Sequence, residues 1–255
     1  MNNTLSNGLR VVELLSEREE PFSVKDVAIA LKLPNSHACR LLKTLVESGY
    51  VEQESKGRRY KISLKALRLA NNCLCRLGIR GRLRPFLVRL CRSMEAAIYL
   101  SVPYQGLPLI IDIAYPGGRH IDAGISIGSV NPIHASASGK ICAAWHSEDS
   151  LDDFLAAQAF PRLTDNTITG IEQFKKELAD IRKAGVAVAN GERAAGVGAI
   201  AAPVFNCDGD FIAILGAAFD SGRFSEDDWE KNKDTVREAA EAASFALGYA
   251  RAGLV

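Results

Sequence analysis

Ser23-Val24-Lys25-Asp26-Val27-Ala28-Ile29-Ala30-Leu31-Lys32-Leu33-Pro34-Asn35-Ser36-His37-Ala38-Cys39-Arg40-Leu41-Leu42-Lys43-Thr44-Leu45 is the stretch that decides the fold. Ser23 and Asp26 stand three residues apart, as a serine and a carboxylate do when each caps a free backbone N–H at a helix start. Val24, Val27, Ala28 and Leu31 then recur at helical spacing. Pro34 lacks an N–H and biases Leu33 away from helical geometry, so the helix ends there, and Asn35 or Ser36 is placed to cap the next one. That second helix is expected to run to about Ser48, where Gly49 stops it. Ala38, Leu41, Leu42 and Leu45 form its apolar stripe, which leaves Ser36, His37, Arg40, Lys43 and Thr44 on or beside the opposite face. After it, Val51 to Glu54 and Arg59 to Ile62 read as a hairpin around Ser55-Lys56-Gly57-Arg58, with Lys56, Arg58 and Arg59 at its basic tip. Helix, turn, helix and basic ribbon in that order describe a winged helix-turn-helix, whose second helix enters a major groove where an arginine can pair with a guanine edge.

Charge agrees with that reading. Residues 1–92 carry 18 Lys and Arg against 8 Asp and Glu, whereas residues 93–255 carry 13 against 22, so a net charge of +1 conceals two halves of opposite sign. A basic half built around a helix-turn-helix points to double-stranded DNA. The chain is long enough for two domains, and no segment approaches the ~20 apolar residues that span a bilayer, so a soluble cytoplasmic protein with no membrane partner is expected. Six scattered cysteines imply no disulfide framework. Cys73-Leu74-Cys75 is one residue short of a zinc or redox motif, the four histidines share no metal spacing, and no cofactor or metal is expected.

Upstream, residues 4 to 16 supply a first helix with Leu9, Val11, Val12 and Leu15 inward. Downstream of the ribbon, Leu64, Leu67, Ala70, Leu74 and Leu77 repeat at helical spacing as a linker helix that Gly78 and Gly81 interrupt, with Arg68, Arg76, Arg80, Arg82 and Arg84 as possible phosphate contacts. The expected organisation is 1–62 as DNA-binding domain, 63–80 as linker and 81–255 as a second domain. Pro85 is expected to start a helix. Strands are then expected over 97–102, 107–115, 120–127, 186–190, 199–205 and 211–219, and helices over 136–146, 151–154, 171–184 and 229–250. A mostly antiparallel sheet covered by helices makes the second domain α+β.

The run Gly8 to Leu15, with Leu33-Pro34-Asn35-Ser36, Arg40 to Leu45 and Gly49-Tyr50-Val51-Glu52, resembles the N-terminal domain of the IclR family of bacterial transcriptional regulators. His134 to Lys140, Ile181 to Ala187, Glu192, Gly196-Val197 and Ile200 to Phe205 resemble the second domain of the same family. The resemblance implies a GAF-like effector-binding domain, a small organic acid as effector, and a dimer or tetramer on a pseudo-palindromic operator. It also implies an effector site at the start of the helix carrying Ser136, Ala137 and Ser138, where accessible N–H groups suit a carboxylate. By motif position, Ala189, Val197, Ala199, Gly216 and Ala218 line the same pocket, with Asn190 and Glu192 nearby. The family often has an acidic residue at the first of these positions and serines at the last two. Their absence here suggests a roomier, more apolar pocket suited to an acid with an aromatic or longer body.

Enzymatic readings are poorly supported. Gly124-Ile125-Ser126-Ile127-Gly128 matches the serine-hydrolase pattern but lacks the following helix that forms the nucleophile elbow, and Gly139-Lys140 lacks the rest of a phosphate loop. A DNA-tethered hydrolase and a constitutive DNA-binding protein with a vestigial pocket remain the alternatives to an effector-controlled regulator.

Overall fold

The computed structural model describes residues 3–55, 57–118, 124–223 and 225–250. Two compact units result, Met1–Leu77 and Gly78–Val255.

In the first unit, α1 (Asn3–Ser16), α2 (Val24–Leu31) and α3 (Asn35–Glu47) enclose a core of Val11, Leu15, Phe22, Val27, Ala28, Ala38, Leu41, Leu42, Val51 and Tyr60. Ser23 and Asp26 form the reciprocal cap expected of them, and Lys32 closes α2 in the left-handed region at φ 53°. The start of α3 differs from expectation: Pro34 itself is the N-cap, and no side chain of Asn35 or Ser36 bonds the helix end. Proline's fixed φ already sets the entry, so the hydroxyl and amide stay free on the surface. β1 (Val51–Gln53) and β2 (Tyr60–Ile62) pair antiparallel, and Phe22 bridges to Tyr60, fastening the ribbon to the turn before α2. Lys56 lies outside the described residues.

α4 (Leu64–Arg76) follows, and no residue of it is buried. The break comes at Leu77, and α5 (Gly78–Met94) runs through both Gly81 and Pro85, where Pro85 was expected to begin a helix. Pro85 forgoes one backbone hydrogen bond. That loss is outweighed by burial of Leu83, Leu87, Leu90, Cys91 and Met94 on one face, and by Arg80 and Arg84, which both reach the buried carboxylate of Asp112, at 3.5 and 2.6 Å. Those two arginines, read from sequence as possible phosphate contacts, are therefore engaged inside the second unit. Arg82 likewise donates to the Ala246 carbonyl.

The second unit is built on a five-stranded antiparallel sheet of β3 (Ala97–Tyr104), β4 (Leu107–Ala114), β5 (Ala187–Asn190), β6 (Val197–Phe205) and β7 (Phe211–Asp220), in the order β4-β3-β7-β6-β5. Register places Tyr99 opposite Gly216, Gly216 opposite Ala201, and Ala199 opposite both Ala218 and Ala189. Directly opposed residues share a face, so these small positions and Tyr99 lie together. Against that face pack α6 (Ala137–Ala144) and α8 (Ile171–Ala184), through Ile141, Phe174, Leu178 and Ile181. α5 and α9 (Glu226–Ala246) cover the other face, and α7 (Glu148–Ala156) precedes α8. The strand expected over 120–127 is not formed in its described part. Gly124 and Gly128 adopt positive φ, a turn takes the chain back, and only Val130 bridges to Leu109.

Candidate functional site

The exposed side of α3 is the first candidate. Burial of Ala38, Leu41 and Leu42 turns Ser36, Cys39, Arg40 and Lys43 outward together, with Lys43 also 3.9 Å from Glu47. Cys39 was not anticipated on this face although helical spacing puts it there. His37 is half-buried, its Nε2 enclosed without a hydrogen-bond partner among the described residues, and it lines a cleft with Arg40, Thr44 and the α1 residues Thr4, Leu5 and Gly8. His37 and Thr44 thus mark the α1 edge of the face rather than its centre. At the ribbon tip, Arg58 adopts φ 49° and Arg59 donates to the Pro21 carbonyl at 3.0 Å.

The second candidate is a small cavity on the α6 side of the sheet. Tyr99, Ile125, Asn131, Ala135, Ser136, Ala189, Arg193, Val197, Ala199 and Ala218 line it. Five residues expected from sequence are thereby gathered: Ser136, Ala189, Val197, Ala199 and Ala218. Four are not. Ala137 is consumed in the hydrophobic core. Ser138 is buried behind the cavity, accepting from Asn131 Nδ2 at 3.1 Å. Asn190 follows inward Ala189 in a strand of period two and is exposed on the other side. Gly216 lies beneath the Tyr99 ring, and a Cβ there would come closer than 3.0 Å to Tyr99 Cζ, Cε2 and the hydroxyl. The space expected from a missing side chain at Gly216 is occupied by a tyrosine from the neighbouring strand. The cavity encloses about 30 Å³, against roughly 150 Å³ for a protein cavity that accepts benzene.

The Gly139 amide at the start of α6 is also committed. Ser136 Oγ accepts from Gly139 N at 3.0 Å and donates to the Pro132 carbonyl at 2.6 Å. Burial pushes the Tyr99 phenol up to about 12, opposed by the neighbouring Ser138 and Arg193. The site's free charge is instead Arg193, which no motif singled out. Its Nη1 donates to Asn131 Oδ1 at 2.6 Å, and no carboxylate among the described residues pairs with it. Partial burial lowers its pKa, opposed by the nearby Tyr99.

The loop bearing Arg193 is held from both sides. Lys140 is fully buried, and its ammonium donates to Glu177 at 2.6 Å, Glu192 at 2.7 Å and the Val188 carbonyl at 2.9 Å, spending all three protons. Burial raises the pKa of Glu192, Lys140 opposes that, and the charge of Glu177 adds to it. Thr164 and Thr167 hydroxyls donate to the carbonyls of Gly191 and Glu192, at 2.6 and 2.7 Å. Ser126, the nucleophile of the hydrolase pattern, sits before a turn, where its backbone N–H and carbonyl hydrogen-bond the Ser129 hydroxyl.

A winged helix-turn-helix followed by a ligand-pocket domain defines a DNA-binding regulator. Residues 4–55 match the profile described as the IclR helix-turn-helix domain, and residues 71–245 match that of the bacterial transcriptional regulator IclR C-terminal. The chain belongs to the IclR family of transcriptional regulators, and it is not an enzyme. It is 26% identical over 246 residues to the HTH-type transcriptional regulator XynR of Escherichia coli K12, covering 96% of this chain and 97% of that one. The crystal structure of Thermotoga maritima IclR is similar at 27% identity with a TM-score of 0.73, covering 98% of this chain and all of that one. An IclR homologue from Microbacterium hydrocarbonoxydans, complexed with 4-hydroxybenzoate, has the same fold at 22% identity with a TM-score of 0.79, covering 96% and 99%. Among the described residues no helix is long and apolar enough to cross a membrane.

Proposed function

We propose that this regulator, working in the cytoplasm, reads a pseudo-palindromic operator through α3 and that a small organic acid in the second unit's cavity modulates it. The observation that carries the DNA reading is the α3 surface, where Ser36, Arg40 and Lys43 are exposed opposite a fully packed apolar stripe. Arg40 is the long, forked donor among them and reads a base edge. Lys43, His37 and Thr44 flank it, and Lys56, Arg58 and Arg59 of the ribbon bind phosphate. A single α3 covers only a few base pairs, so useful affinity needs two copies. Leu64, Leu67 and Leu69 of α4, between 54% and 79% exposed, support self-association through that helix.

Arg40→Ala tests the DNA reading. It should cost about 1–3 kcal/mol on a sequence selected from a random DNA pool and little on scrambled DNA. Equal losses on both would move Arg40 to the phosphates.

The small size of the cavity favours one second reading, a constitutive DNA-binding protein with a vestigial pocket. A thermal-unfolding screen with small carboxylic acids separates the two, because only a functional pocket raises Tm with ligand concentration.

A further inference from the structure

We propose that Arg193 selects the effector: its guanidinium takes the carboxylate of a compact monocarboxylic acid, and the Tyr99 ring bounds that acid's body. This deepens the reading of the cavity as an effector site and rests on it. At the alternative anchor, the α6 N-terminus, the Gly139 amide is already taken by Ser136. Among the described residues Arg193 is the only cation lining the cavity, and its one hydrogen bond, to Asn131, leaves most of its donors unspent. Burial of a charge without a counter-ion is unfavourable unless something supplies the opposite charge. A carboxylate does so with two parallel hydrogen bonds, the geometry a guanidinium fork matches.

The arrangement is held in place beforehand. Asn131 is fixed by Ser138, and the adjacent Glu192 is tied to Lys140, Thr164 and Thr167. Arg193 therefore presents its free edge with little left to order on binding. The cavity of about 30 Å³, narrowed over Gly216 by Tyr99, lies far below the roughly 150 Å³ that admits benzene, so the smallest acids demand the least opening of it. Sequence reasoning from the small residues alone leads to the opposite preference.

Calorimetry on the full chain tests this with glyoxylate, pyruvate, 2-oxobutyrate, benzoate and the neutral pyruvamide. At least one of the three compact acids should bind the unmodified protein, and pyruvamide should not. Arg193→Gln should weaken the bound acid by about 10- to 100-fold, while Arg193→Lys keeps part of the affinity. Unaltered binding to Arg193→Gln, tighter binding of benzoate than of any compact acid, or binding of none of the acids would overturn the proposal. Ala199→Leu, which fills the cavity, separates its failure from that of the site. Loss of binding in Ala199→Leu with retention in Arg193→Gln rejects Arg193 and keeps the cavity, and retention in both rejects the two together. The comparison of pyruvate with pyruvamide needs no variant, so poor folding of a mutant leaves the outcome decidable.

Discussion

A phenol enclosed beneath a helix start, against alanines and glycine, is where this fold departs most from what single residues suggest. Tyr99 covers Gly216 and lies near Ser138 and Arg193, so one side chain narrows the cavity and stands beside its arginine. Its ionisation reports that burial. The folded pKa of about 12 lies above the ordinary value of 10.0. The native state thus holds a proton that the unfolded chain releases first. The resulting stabilisation is fully present below pH ~10 and is lost as pH rises toward ~12. Absorbance titration should show one tyrosine ionising late, and Tyr99→Phe should remove that step. A tyrosine spectrum that titrates uniformly near pH 10 in the native protein would place Tyr99 in solvent.

At the scale of elements, α2 and α3 were legible because their signals are local. Ser23, Asp26 and Pro34 act within one turn of where they stand, and the stripe of Ala38, Leu41 and Leu42 is a period within one helix. A consequence is that Cys39, exposed on the α3 face beside Arg40, should be shielded by DNA from alkylation with N-ethylmaleimide, whereas exposed Cys207 in the second unit should react unchanged. Peptide mass spectrometry showing no slowing at Cys39 would turn that face away from DNA. The cavity was only partly legible for the converse reason. Ala189, Val197, Ala199 and Ala218 come from the family resemblance by motif position, but Tyr99, Asn131 and Arg193 reach the site from β3, the segment before α6 and the β5–β6 loop. Which of them opposes Gly216 depends on the β3–β7 register, which no local pattern carries. Lys140 shows the same dependence, reading as a helix lysine and folding as a buried clamp. Lys140→Met should cost about 3–5 kcal/mol in chemical denaturation, since it strands Glu177 and Glu192. A loss under ~1 kcal/mol would mean those carboxylates are protonated or solvated.

For the whole molecule, the charge division between residues 1–92 and 93–255 falls past the boundary of the two units at Leu77, because arginines such as Arg80 and Arg84 belong to the second unit. Pro85 and the glycines before it read as interruptions because their propensities are known from sequence, whereas Asp112, which secures α5 through Arg80 and Arg84, lies across a tertiary contact. The two sites must be linked for the protein to act as an effector-controlled regulator. If the acid shifts DNA affinity by some factor, DNA must shift acid affinity by the same factor. The most direct measurement is therefore a fluorescence anisotropy titration of the selected DNA, without and with a saturating compact acid, on the unmodified chain and on Arg193→Gln. The account predicts a change in Kd of about 5- to 150-fold in the unmodified chain and almost none in Arg193→Gln. An acid that binds the unmodified chain yet leaves its DNA affinity unchanged would contradict it.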